Sequence, residues 1–163
     1  MSRRVLLALS TSRYSAQLIE GALSEASQLA LNGEVQLDVL YVTESDELEQ
    51  VSSRVGSDGF LGMSIQRDVI EALQAEHRRT ALQRIENLQS AAQQRAIPIN
   101  VIEVDGSFSA AVLNYAESHP CDVIYLTRDD RPFISRFLFG SDADRVARLA
   151  KRDNLGRVVI EHK

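Results

Sequence analysis

Val123-Ile124-Tyr125-Leu126-Thr127-Arg128-Asp129-Asp130, followed by Gly140-Ser141, is the stretch whose reading decides the fold. An apolar strand that empties into a polar loop and then reaches a Gly-Ser helix start is how α/β proteins commonly offer backbone N–H groups to a phosphate. Here the loop positions nearest the strand carry two carboxylates, Asp129 and Asp130. The loop has the layout of a nucleotide site and lacks the glycines that let a main chain approach phosphate closely.

The rest of the chain supplies the frame for that loop. Val5-Leu6-Leu7-Ala8-Leu9 is a continuous apolar run, the pattern of a strand covered on both faces in a parallel sheet. Leu18, Ile19, Ala22, Leu23, Ala26, Leu29 and Ala30 then form one helical stripe, with Ser12 or Ser15 as its cap and Gly33 at its end. Val35 to Val42 reads as a second strand, which completes a βαβ unit. Ser52 to Ser64, with Gly56, Gly59 and Gly62, is a loop by composition.

A long helix is expected from about Gln66 to Arg95, its stripe being Ile70, Leu73, Ala81, Ile85, Leu88 and Ala92 with His77 on the same face. Pro98 stops it, and Ile99 to Val104 resumes as a strand. Asp105-Gly106 turns into a short helix over Ser109 to Ser118 that ends before Pro120. Val123 to Leu126 is the fourth strand, a last helix begins at Ser141, and Val158-Val159-Ile160 is the fifth strand. This alternation predicts an α/β fold, an open and mostly parallel five-stranded sheet with helices on both faces. One domain over residues 1–163 fits the length, and no repeat or low-complexity tract interrupts it.

Composition narrows the function. A net charge of −5 repels nucleic acid and anionic lipid. Five consecutive apolar residues after Met1-Ser2-Arg3-Arg4 fall far short of a signal-peptide core or membrane span, so a cytoplasmic protein with no membrane insertion is expected. A single cysteine, Cys121, excludes an internal disulfide framework and a cysteine-based zinc cluster, and its place at the mouth of an apolar strand reads as a buried thiol. His77, His119 and His162 show no helical metal-ligand spacing.

Five segments in register resemble the universal stress protein family, and the resemblance covers nearly the whole chain. Val5 to Ser12 stands where that family has an apolar strand ending in Asp-Gly-Ser, and Leu37 to Val42 is similar to its second strand. Gly106 stands at the opening of its third helix, Asp122-Val123-Ile124-Tyr125-Leu126 resembles its Asp-Leu-Ile-Val-Met, and Gly140-Ser141 matches its Gly-Ser. The resemblance implies a Rossmann-like sheet of order 3-2-1-4-5, with a ligand crevice at the switch point between the first and fourth strands. Its walls would be Ser10, Thr11 and Ser12 on one side and Thr127 to Ser141 on the other.

ATP-binding members show glycine, two residues, glycine, nine residues, then Gly-Ser or Gly-Thr. This chain keeps the spacing with Thr127, Asp130 and Gly140-Ser141, and carries Ser10 where the family has a strand-one aspartate. Thr127 resists the backbone torsions that glycine allows. Asp130 sets a carboxylate beside any polyphosphate, and two like charges about 4 Å apart repel by roughly 1 kcal/mol in water and about 4 kcal/mol at a surface-like dielectric. The expectation is therefore no cofactor and no catalysis. The alternative is ATP or AMP with Mg held by a noncanonical loop, Arg128, Arg131 and Ser141 contacting phosphates and Val42 lying near the base.

Other features have plainer readings. Gly140-Ser141 with Asp144 also fits a helix cap, and Ser10, Thr11 and Ser12 fit turn and cap chemistry better than nucleophiles. Phe133, Phe137 and Phe139 with Arg131 and Arg136 superficially suggest a single-strand nucleic-acid platform, but the acidic balance and helical spacing favour core and crevice packing. Phe60, Leu61, Met63 and Ile65 make the glycine-bearing loop unusually apolar, suited to covering the crevice or meeting a partner. The resemblance implies a stress-response or regulatory protein, and with the altered loop the expectation is action through partner proteins and a homodimer joined along the apolar edge Val158, Val159 and Ile160.

Overall fold

A computed structural model describes residues 2–44, 63–127 and 142–161, apart from the side chains of 63–66. Five strands, β1 (Arg3–Ser10), β2 (Val35–Glu44), β3 (Ile99–Gly106), β4 (Val123–Thr127) and β5 (Arg157–Glu161), form one sheet of order β3-β2-β1-β4-β5. Every neighbouring pair is parallel, so the sheet is parallel throughout. The helices are α1 (Ala16–Ala30), α2 (Met63–Gln94), α3 (Phe108–Ser118) and α4 (Asp142–Asp153).

The period-two alternation of the central strands sorts their side chains into two cores. Val5, Leu7, Leu9, Leu37, Val39, Tyr41, Val123 and Tyr125 pack under α1 and α2. Leu6, Ala8, Leu40, Val42, Ile124 and Leu126 pack under α3 and α4. β1 lies between β2 and β4 with both faces covered, which is why Val5 to Leu9 is apolar without a break.

Local chemistry sets the element ends. Ser15 caps α1, its hydroxyl accepting the Leu18 N–H at 3.0 Å. β2 continues two residues past the expected Val42, to Glu44, and β3 continues to Gly106. Gly156 joins α4 to β5 at φ +133°, where a Cβ would lie 2.6 Å from the Cys121 carbonyl oxygen, so only glycine fits this crossing. The α2 stripe is buried only over Ala81, Ile85, Leu88 and Ala92, whereas Leu73 is exposed. A helix of 32 residues is about 48 Å long, and the ten-residue strand beneath spans about 33 Å, so the first turns of α2 overhang the sheet.

Candidate functional site

The strand order reverses between β1 and β4, and the C-terminal ends of the strands there open the crevice in which open α/β sheets take ligands. β1 ends in a tight turn, with the Ser10 and Arg13 N–H groups each donating to the other residue's carbonyl at 3.2 Å. That turn sends the Arg13 side chain inward. Its guanidinium is fully buried and lies 4.4 Å above the centre of the Phe108 ring at the start of α3.

Glu44 reaches the same place from the end of β2. It shares a strand face with Asp38, Leu40 and Val42, so its carboxylate points toward α3 and α4. Arg13 Nε and Nη2 donate to Glu44 Oε1 at 3.2 Å each, and Nε also lies 3.3 Å from Oε2. Ser10 Oγ donates to Oε2 at 2.7 Å and Ser12 Oγ at 3.0 Å. Asp142, in the first turn of α4, accepts from Arg13 Nη2 at 2.7 Å. One buried guanidinium thus ties β1, β2, α3 and α4 together.

Electrostatics fix what this cluster can do. Burial alone would push the Glu44 carboxyl up, but the Arg13 charge, its hydrogen bonds and the Ser10 and Ser12 hydroxyls outweigh it and hold the group below the ordinary glutamate range. A carboxylate so stabilised is a poor general base, and Ser10 and Ser12 gain no nucleophilic activation from it. Arg84 of α2 secures the loop from the other face. Its Nη1 donates to the Thr11 carbonyl at 3.0 Å and lies 3.4 Å from the Tyr41 hydroxyl, with the guanidinium 4.0 Å above the Tyr14 ring centre.

The crevice residues expected from the sequence fall into three groups. Ser10 and Ser12 line the cluster, while Thr11 turns to the α2 side, its hydroxyl 3.5 Å from the Tyr41 hydroxyl. Val42 is fully buried, main chain included, and Thr127 is fully buried with its hydroxyl donating to the Glu161 carbonyl at 2.8 Å. Arg128, Asp130, Arg131, Gly140 and Ser141 lie outside the described residues, as do the segment Gly56 to Gly62 and Phe133 to Phe139. Arg13, Glu44 and Asp142 were not singled out in the sequence. A partial signal exists: β2 carries acids among apolar residues on a face that helices cover, and such an acid needs a cation nearby.

Other candidates find structural roles. Cys121 is buried, its thiol donating to the His119 carbonyl at 2.9 Å, and burial pushes its pKa up to about 12. The His119 ring stacks on Tyr115 at 4.2 Å. Among the described residues, no group of three His, Cys, Asp or Glu side chains is placed to hold a metal ion, and no helix is long and apolar enough to cross a membrane.

The sequence model of the Universal stress protein family matches residues 1–155. The chain belongs to the universal stress protein family. Solved structures agree on the fold. The hypothetical protein MJ0577 superposes with a TM-score of 0.61 at 14% identity, over 99% of this chain and 96% of its own. Universal stress protein UspA from Lactobacillus plantarum gives 0.59 at 19% identity, over 97% and 96%. A universal stress protein crystallised in complex with cAMP gives 0.58 at 18% identity, over 98% and 97%. No curated protein sequence matches the chain.

Proposed function

We propose that this family member is a non-catalytic stress-response or regulatory protein of the cytoplasm, working through self-association and partner proteins, and that its crevice does not take ATP. The observation that carries this reading is the Arg13–Glu44–Asp142 cluster. It sets the protein's own charges at the mouth of the crevice, where the buried guanidinium is engaged by two carboxylates of the chain itself. A carboxylate about 4 Å from a phosphate charge repels it by roughly 1 to 4 kcal/mol, depending on local dielectric. Thr127 and Asp130 at the loop's glycine positions add to the penalty.

Self-association is assigned to β5, an edge strand whose Val158, Val159 and Ile160 are half-buried in the isolated protomer. A two-fold contact along this edge satisfies its outer backbone groups and covers its apolar side chains. Val159→Lys should convert the protein to a folded monomer by light scattering and circular dichroism, and a variant that stays a well-folded dimer places the contact elsewhere.

Titration calorimetry with ATP, AMP and cAMP, with and without magnesium, tests the crevice. No saturable heat with ATP is expected. A low-micromolar dissociation constant, or ATP copurifying with the protein, would overturn the reading. One observation favours a second reading, nucleotide binding through the noncanonical loop: a family relative was solved with cAMP. A cyclic monophosphate carries a single negative charge and meets less repulsion than ATP. Saturable cAMP or AMP binding with no ATP binding would support that reading, with Arg128, Arg131 and Ser141 as the phosphate contacts and Val42 near the base.

A further inference from the structure

The sheet has two outer strands, β5, assigned above to self-association, and β3 at the far side. β3 pairs with β2 residue for residue from Leu37↔Ile99 to Glu44↔Gly106 without a bulge, and it contains no proline or lysine. Bulges, prolines and lysines are the usual means of blunting an open edge, and β3 has none of them. The parallel ladder decides which of its backbone groups are used. The Leu37 N–H donates to the Pro98 carbonyl at 3.0 Å, so Asn100, Ile102 and Val104 turn their N–H and C=O groups toward β2. Ile99, Val101, Glu103 and Asp105 turn theirs outward, and among the described residues those outward groups have no hydrogen-bond partner.

Each face of the sheet has a cavity beside this edge. One of about 320 Å³ lies on the α2 side, lined by Tyr41, Thr43, Glu103 and Asp105 with Ala81 and Leu82 of α2. The other, of about 390 Å³, lies on the α3 side, lined by Leu40 and Val104 with Ala111 and Tyr115 of α3. Asp105 borders both. A strand laid along β3 sends successive side chains to opposite faces, so its alternate residues meet the two cavities in turn. Free main-chain groups flanked by pockets for alternate side chains are what strand addition requires.

We propose that β3 takes an extended segment of a partner protein as a sixth, antiparallel strand, with basic residues on its α2 face and small apolar residues on its α3 face. The inference rests on the reading that this protein works through partners, and gives that contact a place. Charge selects the occupant. Glu103 and Asp105 are exposed on the face that carries Ile99 and Val101, and neither has an ion pair among the described residues. Arg78 lines the α2-side cavity without pairing with either. A second copy is the wrong partner: two-fold antiparallel pairing here sets the Glu103 and Asp105 carboxylates of both chains on one face, and like charges across strands destabilise the pair. On the other face Leu40 and Val104 favour small apolar side chains.

The probe is a capped heptapeptide of alternating lysine and valine, lysine at both ends, titrated into the full-length ¹⁵N-labelled protein. Saturable amide shifts along β3 are expected, with a dissociation constant below about 1 mM. Hydrogen exchange reads the pairing directly. At a peptide concentration about ten times that constant, the outward Val101, Glu103 and Asp105 N–H groups should exchange about 10-fold more slowly, while the inward Ile102 and Val104 are already protected without peptide. The same peptide with every backbone nitrogen methylated keeps its charges, loses its donors, and should bind at least about 10-fold more weakly. Glu103→Gln with Asp105→Asn should weaken binding about 10-fold. Glu103→Pro removes an N–H that β2 does not use, a position where an edge strand tolerates proline, and should weaken binding beyond Glu103→Gln. The methylated peptide gives its answer on the unaltered protein, so the test stands even where the proline variant fails to fold. Absence of saturable shifts, equal binding by the methylated peptide or by one with glutamate in place of lysine, or protection along Val158 to Ile160 instead of β3 overturns the proposal. Failure here leaves the crevice and the β5 contact as read, because neither uses β3.

Discussion

β2 buries two carboxylates on one face, six residues apart, and the protein treats them differently. Asp38, toward the start of the strand, accepts from the Tyr115 hydroxyl at 2.8 Å and lies 3.2 Å from Arg4 Nε, within ion-pair distance but not aligned for a hydrogen bond. The Arg4 side chain keeps 31% of its exposure. Glu44, at the strand's end, meets an arginine with none, and two serine hydroxyls besides. Both acids join β2 to its neighbours. Only Glu44 does so at the edge where a parallel sheet takes ligands, and there the protein spends a fully buried cation on its own carboxylates. The Asp38 end is a strut with water within reach, and the Glu44 end is a charge network built around a buried guanidinium.

The largest expected effect follows from that asymmetry. Glu44→Ala takes a carboxylate away from a fully buried guanidinium that also pairs with Asp142, and breaking a buried pair costs about 3–5 kcal/mol. Asp38→Ala frees Arg4, which turns to solvent, and leaves the Tyr115 hydroxyl unpaired, for about 1–3 kcal/mol. Urea denaturation of the two variants at pH 7 measures both. Equal losses would break the comparison and make the two clusters alike.

Acid titration sharpens it. The Glu44 carboxyl is depressed in the folded state, so its contribution is complete above the unfolded value, about 4.3, and drains away as the pH falls toward and through the folded value. Asp122 is depressed too: burial opposes its charge, but the Arg4 N–H and Arg3 outweigh it. Wild-type stability should therefore fall as the pH drops below about 5 and through the depressed folded values, and Glu44→Gln should start lower at pH 7 and show a shallower acid limb. A limb of unchanged slope in Glu44→Gln would assign the acid sensitivity to other carboxylates.

Much of this fold was legible because its signals are periodic. Val5 to Leu9 has the pattern of a strand covered twice, Ser12 or Ser15 could cap α1 and Ser15 does, and the strand–helix alternation implied a mostly parallel sheet. The long helix was harder. Ile70 and Leu73 continue the stripe of α2, and periodicity carries no information on where the sheet beneath runs out. The charge cluster was hidden for a different reason. Arg13 sits in a Ser-rich turn and Glu44 at a strand's end, where polar residues ordinarily meet solvent. Their burial depends on Phe108 and Asp142, which are brought in from α3 and α4. Contacts so distant in sequence leave only a faint local signal, the acids that stand among the apolar residues of β2.

The smallest effects test the hydroxyls that serve the two acids. Ser10 is fully buried and donates at 2.7 Å to a charged oxygen that water does not reach easily, so Ser10→Ala should cost about 1.5–3 kcal/mol. Tyr115→Phe removes a donor of similar length, 2.8 Å, from Asp38. Burial, the hydrogen bond to Asp38 and the charge of Asp38 push the Tyr115 hydroxyl's pKa well up, so it stays a neutral donor through the working pH range. The ring is half-buried and Arg4 remains beside the carboxylate, so the loss should be about 0.5–1.5 kcal/mol. Paired urea melts decide between them, and their acid limbs add a second readout. Ser10→Ala should raise the Glu44 carboxyl toward its ordinary value and move the acid transition up in pH, because one of the donors that hold the charge is gone. A larger loss in Tyr115→Phe than in Ser10→Ala would reverse the ranking of the two ends and remove the argument that the crevice is closed by its own ion network.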